Sequence, residues 1–70
     1  MSDIKNKLIA EACKIIGDNF GENMAKNYTS FYQQRKTEEI IDSLYELLIE
    51  FVGEKNAEKQ IKNIKQKYNL

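Results

Sequence analysis

Apolar residues recur along this chain at steps of three and four, the period of an amphipathic helix, in four successive stretches. No stretch alternates as a strand does. In the first, Ile4, Leu8, Ala12, Ile15 and Ile16 share one face with Ile9 at its margin, and Asp3, Lys7, Ala10 and Lys14 lie opposite. Ser2 stands where a helix N-cap is wanted. Gly17 is expected to supply the left-handed residue that ends the helix, with Asp18 or Asn19 capping the next one after a tight reversal. In the second stretch Phe20, Met24, Tyr28, Phe31 and Tyr32 form a mostly aromatic stripe, read as core, while Asn23, Lys26, Asn27, Ser30, Gln33 and Gln34 occupy the far side.

Thr37, followed by Glu38 and Glu39, reads as the start of a third helix, a hydroxyl cap with two carboxylates at the positive end of the helix dipole. Its apolar arc is wide. Ile40, Ile41, Leu44, Leu47, Leu48, Phe51 and Val52 cover close to half the wheel, and Tyr45 and Ile49 widen it further. After Gly53 the residues Ala57, Ile61, Ile64 and Tyr68 make the narrow seam of a helix that meets a single groove. The pattern predicts helices at roughly 3–16, 19–34, 38–52 and 56–68. No internal repeat of twenty or more residues is expected. The expected fold is therefore all-α, a single domain over residues 1–70 arranged as a small up-and-down bundle of three to four short helices, because connections of a few residues make consecutive helices antiparallel neighbours.

Charge changes this picture more than overall composition does. Eleven basic and eleven acidic residues cancel. Their distribution does not: residues 37–54 hold six acids and no base, and residues 55–70 hold five lysines against Glu58 alone. Glu39, Asp42, Glu46 and Glu50 follow at steps of three, four and four as one acidic ridge on the third helix. Lys55, Lys59, Lys62, Lys65 and Lys67 decorate the fourth.

Candidate chemistry is sparse. The chain has no histidine, no proline and one cysteine, so it can assemble neither the usual zinc sets nor an intrachain disulfide. Cys13 has no histidine base to activate it and reads as a small buried hydrophobe. The acidic ridge spaces its carboxylates too widely for one ion and reads as a solvated face. No Ser/His/Asp set and no phosphate-cradling glycine loop is present, so no catalytic residue, cofactor, metal or small-molecule substrate is expected and the protein is not read as an enzyme. No apolar run approaches the ~20 residues of a membrane span. The first residues do not resemble a secretion signal, which makes the cytoplasm the expected location.

A 70-residue chain buries only about 60% of its unfolded surface, so association is the expected source of additional stability. The expected function is a protein–protein interaction or homo-oligomerisation module, with the protein itself the first candidate partner. Tyr45 and Ile49 would anchor the contact, and the ridge of Glu39, Asp42, Glu46 and Glu50 would set its register against lysines. An alternative is a small nucleic-acid-associated regulator docking through Lys55, Lys59, Lys62, Lys65 and Lys67. Two further arrangements fit the same pattern: capture of a partner's helix beside the aromatic stripe, and exchange of residues 54–70 between copies.

Overall fold

The structure, a computed structural model, describes residues 3–70, so the expected cap at Ser2 lies outside the described residues. The fold is all-α, and the described residues form four helices: α1 Asp3–Phe20, α2 Glu22–Gln33, α3 Thr37–Val52 and α4 Glu54–Tyr68. Among the described residues none is in a strand. The chain divides into two compact units, the first reaching to Ile40 and the second running from Ile41 to Leu70.

The first unit contains the antiparallel pair α1 and α2. Cys13 lies against Thr29, Lys5 Nζ donates to the Gln33 carbonyl at 3.0 Å, and a β-carbon on Gly17 would sit 3.6 Å from that of Ala25. These pairings correct the expected boundary. Gly17 does not end the helix; α1 continues through it to Phe20, and the reversal is made by Gly21 alone, at φ 102 and ψ 162. Such a conformation is essentially restricted to glycine. Gly21 ends one helix and begins the next with its own backbone: its N–H donates to the Gly17 carbonyl at 3.0 Å, and its carbonyl accepts from Ala25 N–H at 3.1 Å. Asn19 is not a cap for α2, because its side-chain amide donates back to the Ile15 carbonyl at 2.9 Å.

The second unit contains the rest of α3 and α4, joined by Gly53 in nearly the same conformation, φ 90 and ψ 162. Its N–H donates to the Ile49 carbonyl at 3.0 Å and its carbonyl accepts from Ala57 N–H at 2.9 Å, the bonding of Gly21 repeated. At the start of α3, Thr37 is the first helical residue rather than a residue before the helix. There the Lys36 N–H donates to Glu39 Oε1 at 3.0 Å, so the carboxylate satisfies an amide that the first turn leaves free.

Burial follows the same 32-residue step as the two glycines. Leu8, Ile9, Ala12 and Ile16 are the buried residues of α1, and Ile40, Ile41, Leu44 and Leu48, each 32 further on, are those of α3. Tyr32 in α2 and Ile64 in α4 are related in the same way. The structure thus repeats a unit, a helix, one glycine and a second helix, that is not a repeat of sequence. Residue identity conceals it because beyond Gly-Glu-x-x-Ala at the hinge the two halves share little.

Two expected faces shift. Ile9 is fully part of the buried face of α1, whereas Ile15 is half-buried and Ile4 is 47% exposed. Of the aromatic stripe only Tyr32 is buried; Phe20, which ends α1, and Met24 and Tyr28 in α2 are half-buried, and Phe31 is 45% exposed. The aromatic stripe is therefore not core as a whole. On a helical wheel Phe31 and Met24 are turned well away from Ala25 and Thr29, the residues that meet α1. In α4 the narrow seam is as expected, with Ala57, Ile61 and Ile64 buried.

Candidate functional site

The antiparallel course of α3 and α4 leaves a groove of about 390 Å³ between them. Ile41, Asp42 and Tyr45 line it from α3, and Glu58, Ile61, Lys62 and Lys65 from α4. Its position follows from helix geometry. Ile41, Tyr45 and Asp42 succeed one another around the wheel between the buried row of Leu44 and Leu48 and the acidic ridge. The floor is thus apolar, Ile41 and Ile61 being buried, and its two walls differ in charge. On the α3 side Asp42 opens an exposed acidic ridge continued by Glu46 and Glu50; on the α4 side stand the exposed Lys62 and Lys65.

Tyr45 crosses the groove. Its hydroxyl donates to Glu58 Oε2 at 3.5 Å, a long and correspondingly weak bond. Partial burial, then the negative charges of Glu58 and Glu54, then this hydrogen bond raise the Tyr45 hydroxyl above its ordinary value near 10. All four causes disfavour the phenolate. Glu58, the one acid between Lys55 and Lys67 on α4, thereby has a specific partner on α3.

The residues expected to act together divide as follows. Tyr45 and Ile49 are half-buried and sit between the buried row and the ridge. Glu39, Asp42, Glu46 and Glu50 are all exposed along one face of α3, and the Glu39 carboxylate is occupied by the Lys36 amide. Lys55, Lys59, Lys62, Lys65 and Lys67 are all exposed on α4, with Lys67 Nζ 5.6 Å from the centre of the Tyr68 ring. Of these, the groove gathers only Asp42, Tyr45, Lys62 and Lys65. Sequence reasoning missed Ile41, Ile61 and Glu58 as lining residues. The signal that could have revealed Glu58 is its isolation among lysines, one helical pairing away from Tyr45.

A second cluster lies in the first unit. The Phe31 ring is edge-on to Tyr28, with centroids 6.1 Å apart, and is covered by the Arg35 guanidinium at 4.7 Å. This is a cation–π contact on an exposed ring, worth about 0.5–1 kcal/mol. Cys13 is half-buried and hydrogen-bonded, not a plain buried hydrophobe. Thr29 Oγ1 donates its single proton to the Ala25 carbonyl at 2.8 Å, so in the 2.6 Å contact between Cys13 and Thr29 the thiol is the donor. A thiol held as a donor is not poised as a nucleophile.

Among the described residues no group of three His, Cys, Asp or Glu side chains is placed to hold a metal ion, and no helix is long and apolar enough to cross a membrane. Compared with known proteins, no family model, no curated protein and no solved structure matches this chain.

Proposed function

We propose that this protein is a non-enzymatic association module that works through the outer face of α3 and α4. The observation that carries this reading is the state of Tyr45 and Ile49: both remain half-exposed in a strip between a fully buried row and an exposed acidic ridge. Apolar side chains in that position contribute free energy when a partner covers them, while the flanking charges select which partner does so. Ile49→Glu is expected to dissociate the assembly seen by light scattering coupled to size exclusion, leaving helical circular dichroism unchanged. A variant that unfolds would instead make Ile49 part of the fold and remove it from the contact. Persistence of the assembly at high salt is expected of an apolar contact.

One observation favours a second reading, contact with nucleic acid. Lys55, Lys59, Lys62, Lys65 and Lys67 are all exposed along one short helix. Labelled duplex and single strands should then bind at low salt and be released steeply as salt rises, because phosphate contacts displace condensed counterions. No binding at low salt removes this reading.

A further inference from the structure

The groove between α3 and α4 carries Asp42 on its α3 wall and, beside a Glu58 engaged by Tyr45, Lys62 and Lys65 on its α4 wall, and that asymmetry specifies more than the presence of a partner. We propose that its occupant is the same groove of a second copy of this chain, related by a two-fold axis that runs along the groove. This rests on the association reading above and names its partner.

The argument begins with charge. Residues 37–54 sum to minus six and residues 55–70 to plus four. A purely acidic partner would be drawn to Lys62 and Lys65 and repelled by Asp42 and Glu46, and a purely basic partner would meet the reverse. A matching surface must carry both walls side by side. The chain itself carries such a surface, and its overall neutrality removes the long-range repulsion that would otherwise oppose pairing of identical molecules.

Symmetry then follows from geometry. Two copies can meet groove to groove about a two-fold axis lying either across the groove or along it. An axis across it sets each α3 wall on the partner's α3 wall, acid against acid and lysine against lysine. An axis along it sets each α3 on the partner's α4, so that Asp42 and Glu46 face Lys62 and Lys65 twice over, with the facing helices antiparallel. Only the second arrangement is electrostatically complementary. The apolar floor at Ile41 and Ile61, open over about 390 Å³, is then shut from water by the copy.

The test uses the full chain with its walls recharged. The double variant Asp42→Lys with Glu46→Lys has two basic walls; Lys62→Glu with Lys65→Glu has two acidic ones. By analytical ultracentrifugation at low salt, the wild type is expected to have the mass of two chains and each double variant that of one. An equimolar mixture of the two double variants is expected to return to two chains. The chain carrying all four substitutions, with its walls exchanged, should also pair, which shows that neither double variant fails merely by misfolding. The axis is read separately in a Cys13→Ala background. Mixed Glu46→Cys and Lys62→Cys chains should form the mixed disulfide in preference to the Glu46→Cys self-pair.

A wild-type pair whose mass ignores both charge variants overturns this inference and leaves the association reading standing. A dominant Glu46→Cys self-pair overturns the axis. A wild type that stays a single chain at every concentration overturns the second copy as occupant, and Ile49→Glu then has no assembly to dissociate.

Discussion

The two helical hairpins share a hinge and a pattern of burial but not a seam. In the first, the residues facing across the pair are small: Cys13 and Gly17 on α1 against Ala25 and Thr29 on α2, close enough for a thiol to reach a hydroxyl. In the second, the positions 32 further on are Tyr45 and Ile49 on α3 against Ala57 and Ile61 on α4. Three of the four side chains are larger, and although each pair leaves a groove, about 410 Å³ beside Cys13, Gly17, Ala25 and Thr29 and about 390 Å³ beside Ile41, Tyr45 and Ile61, only the second has large apolar side chains along it. Packing explains the difference, since the distance between two helices is set by the side chains at their contact. One backbone plan can thus give a seam of small side chains or one lined by large apolar ones, and any role must be sought in the seam rather than in the hairpin itself.

If the hinges are truly alike, damage to them should be alike, and this is the largest effect expected. A β-carbon added at Gly21 or at Gly53 would have no other atom within 4 Å, so alanine there meets no clash and suffers only from its backbone conformation. A residue forced into this glycine-only region loses on the order of 1–3 kcal/mol. Gly21→Ala and Gly53→Ala are each expected to lower stability by that much in urea unfolding, and the double variant by about the sum, since hinges with no shared partners add. Ordinary domains have roughly 5–15 kcal/mol in all, so the double variant should be close to unfolded. A marked inequality between the two single variants would break the equivalence of the hairpins.

The seam itself is probed at Gly17, which is helical and lies against Ala25. Gly17→Ile installs the side chain found at the equivalent position of α3. Its β-carbon alone would be in ordinary contact at 3.6 Å, but the branches beyond it would force the helices apart, an overpacking of about 1–3 kcal/mol. Gly17→Ala should act in the opposite direction. It adds only the β-carbon and relieves a helix-interior glycine, for a gain of roughly 0.5–1 kcal/mol. Opposite signs for two apolar substitutions at one position, read as melting temperatures, are the signature of a close approach at Gly17; equal signs would show that Gly17 is not packed as described.

How far the sequence reveals this arrangement depends on whether the deciding contact is local. The four helices are legible because the three-and-four periodicity is a property of each segment alone. The choice between Gly17 and Gly21 as the turning residue is not: both are glycines, and what keeps Gly17 helical is its approach to Ala25 on the next helix. The aromatic stripe misleads for a related reason. Its spacing establishes that Phe20, Met24, Tyr28 and Phe31 share a side, but spacing says nothing about whether another helix covers that side, and Phe31 is left to Arg35. At the candidate site, the acidic ridge and the lysines can be read directly as exposed faces. The groove between them cannot, because it exists only where Ile41 and Ile61, twenty residues apart, are brought to one seam.

The smallest effect expected is also the most local probe of the α3–α4 seam. Burial, the charges of Glu58 and Glu54, and the hydrogen bond to Glu58 all hold Tyr45 above the ordinary tyrosine value of 10.0. A folded-state value raised above the unfolded one favours the protonated form, so this contribution to stability is fully present below pH 10 and is lost as pH rises through the folded value. Comparing the ultraviolet tyrosinate titrations of the wild type and Tyr45→Phe should show the lost hydroxyl to be one that ionises later than an ordinary tyrosine. Glu58→Gln should bring that ionisation earlier by deleting the charge while keeping an amide oxygen that can still accept. Cys13 and Thr29 occupy the equivalent stretch of the α1–α2 seam, so Thr29→Val should leave the Tyr45 ionisation unchanged. A hydroxyl lost in Tyr45→Phe that ionises no later than an ordinary tyrosine would mean that the groove does not hold its tyrosine against Glu58, and the contrast between the two seams would then rest on side-chain volume alone.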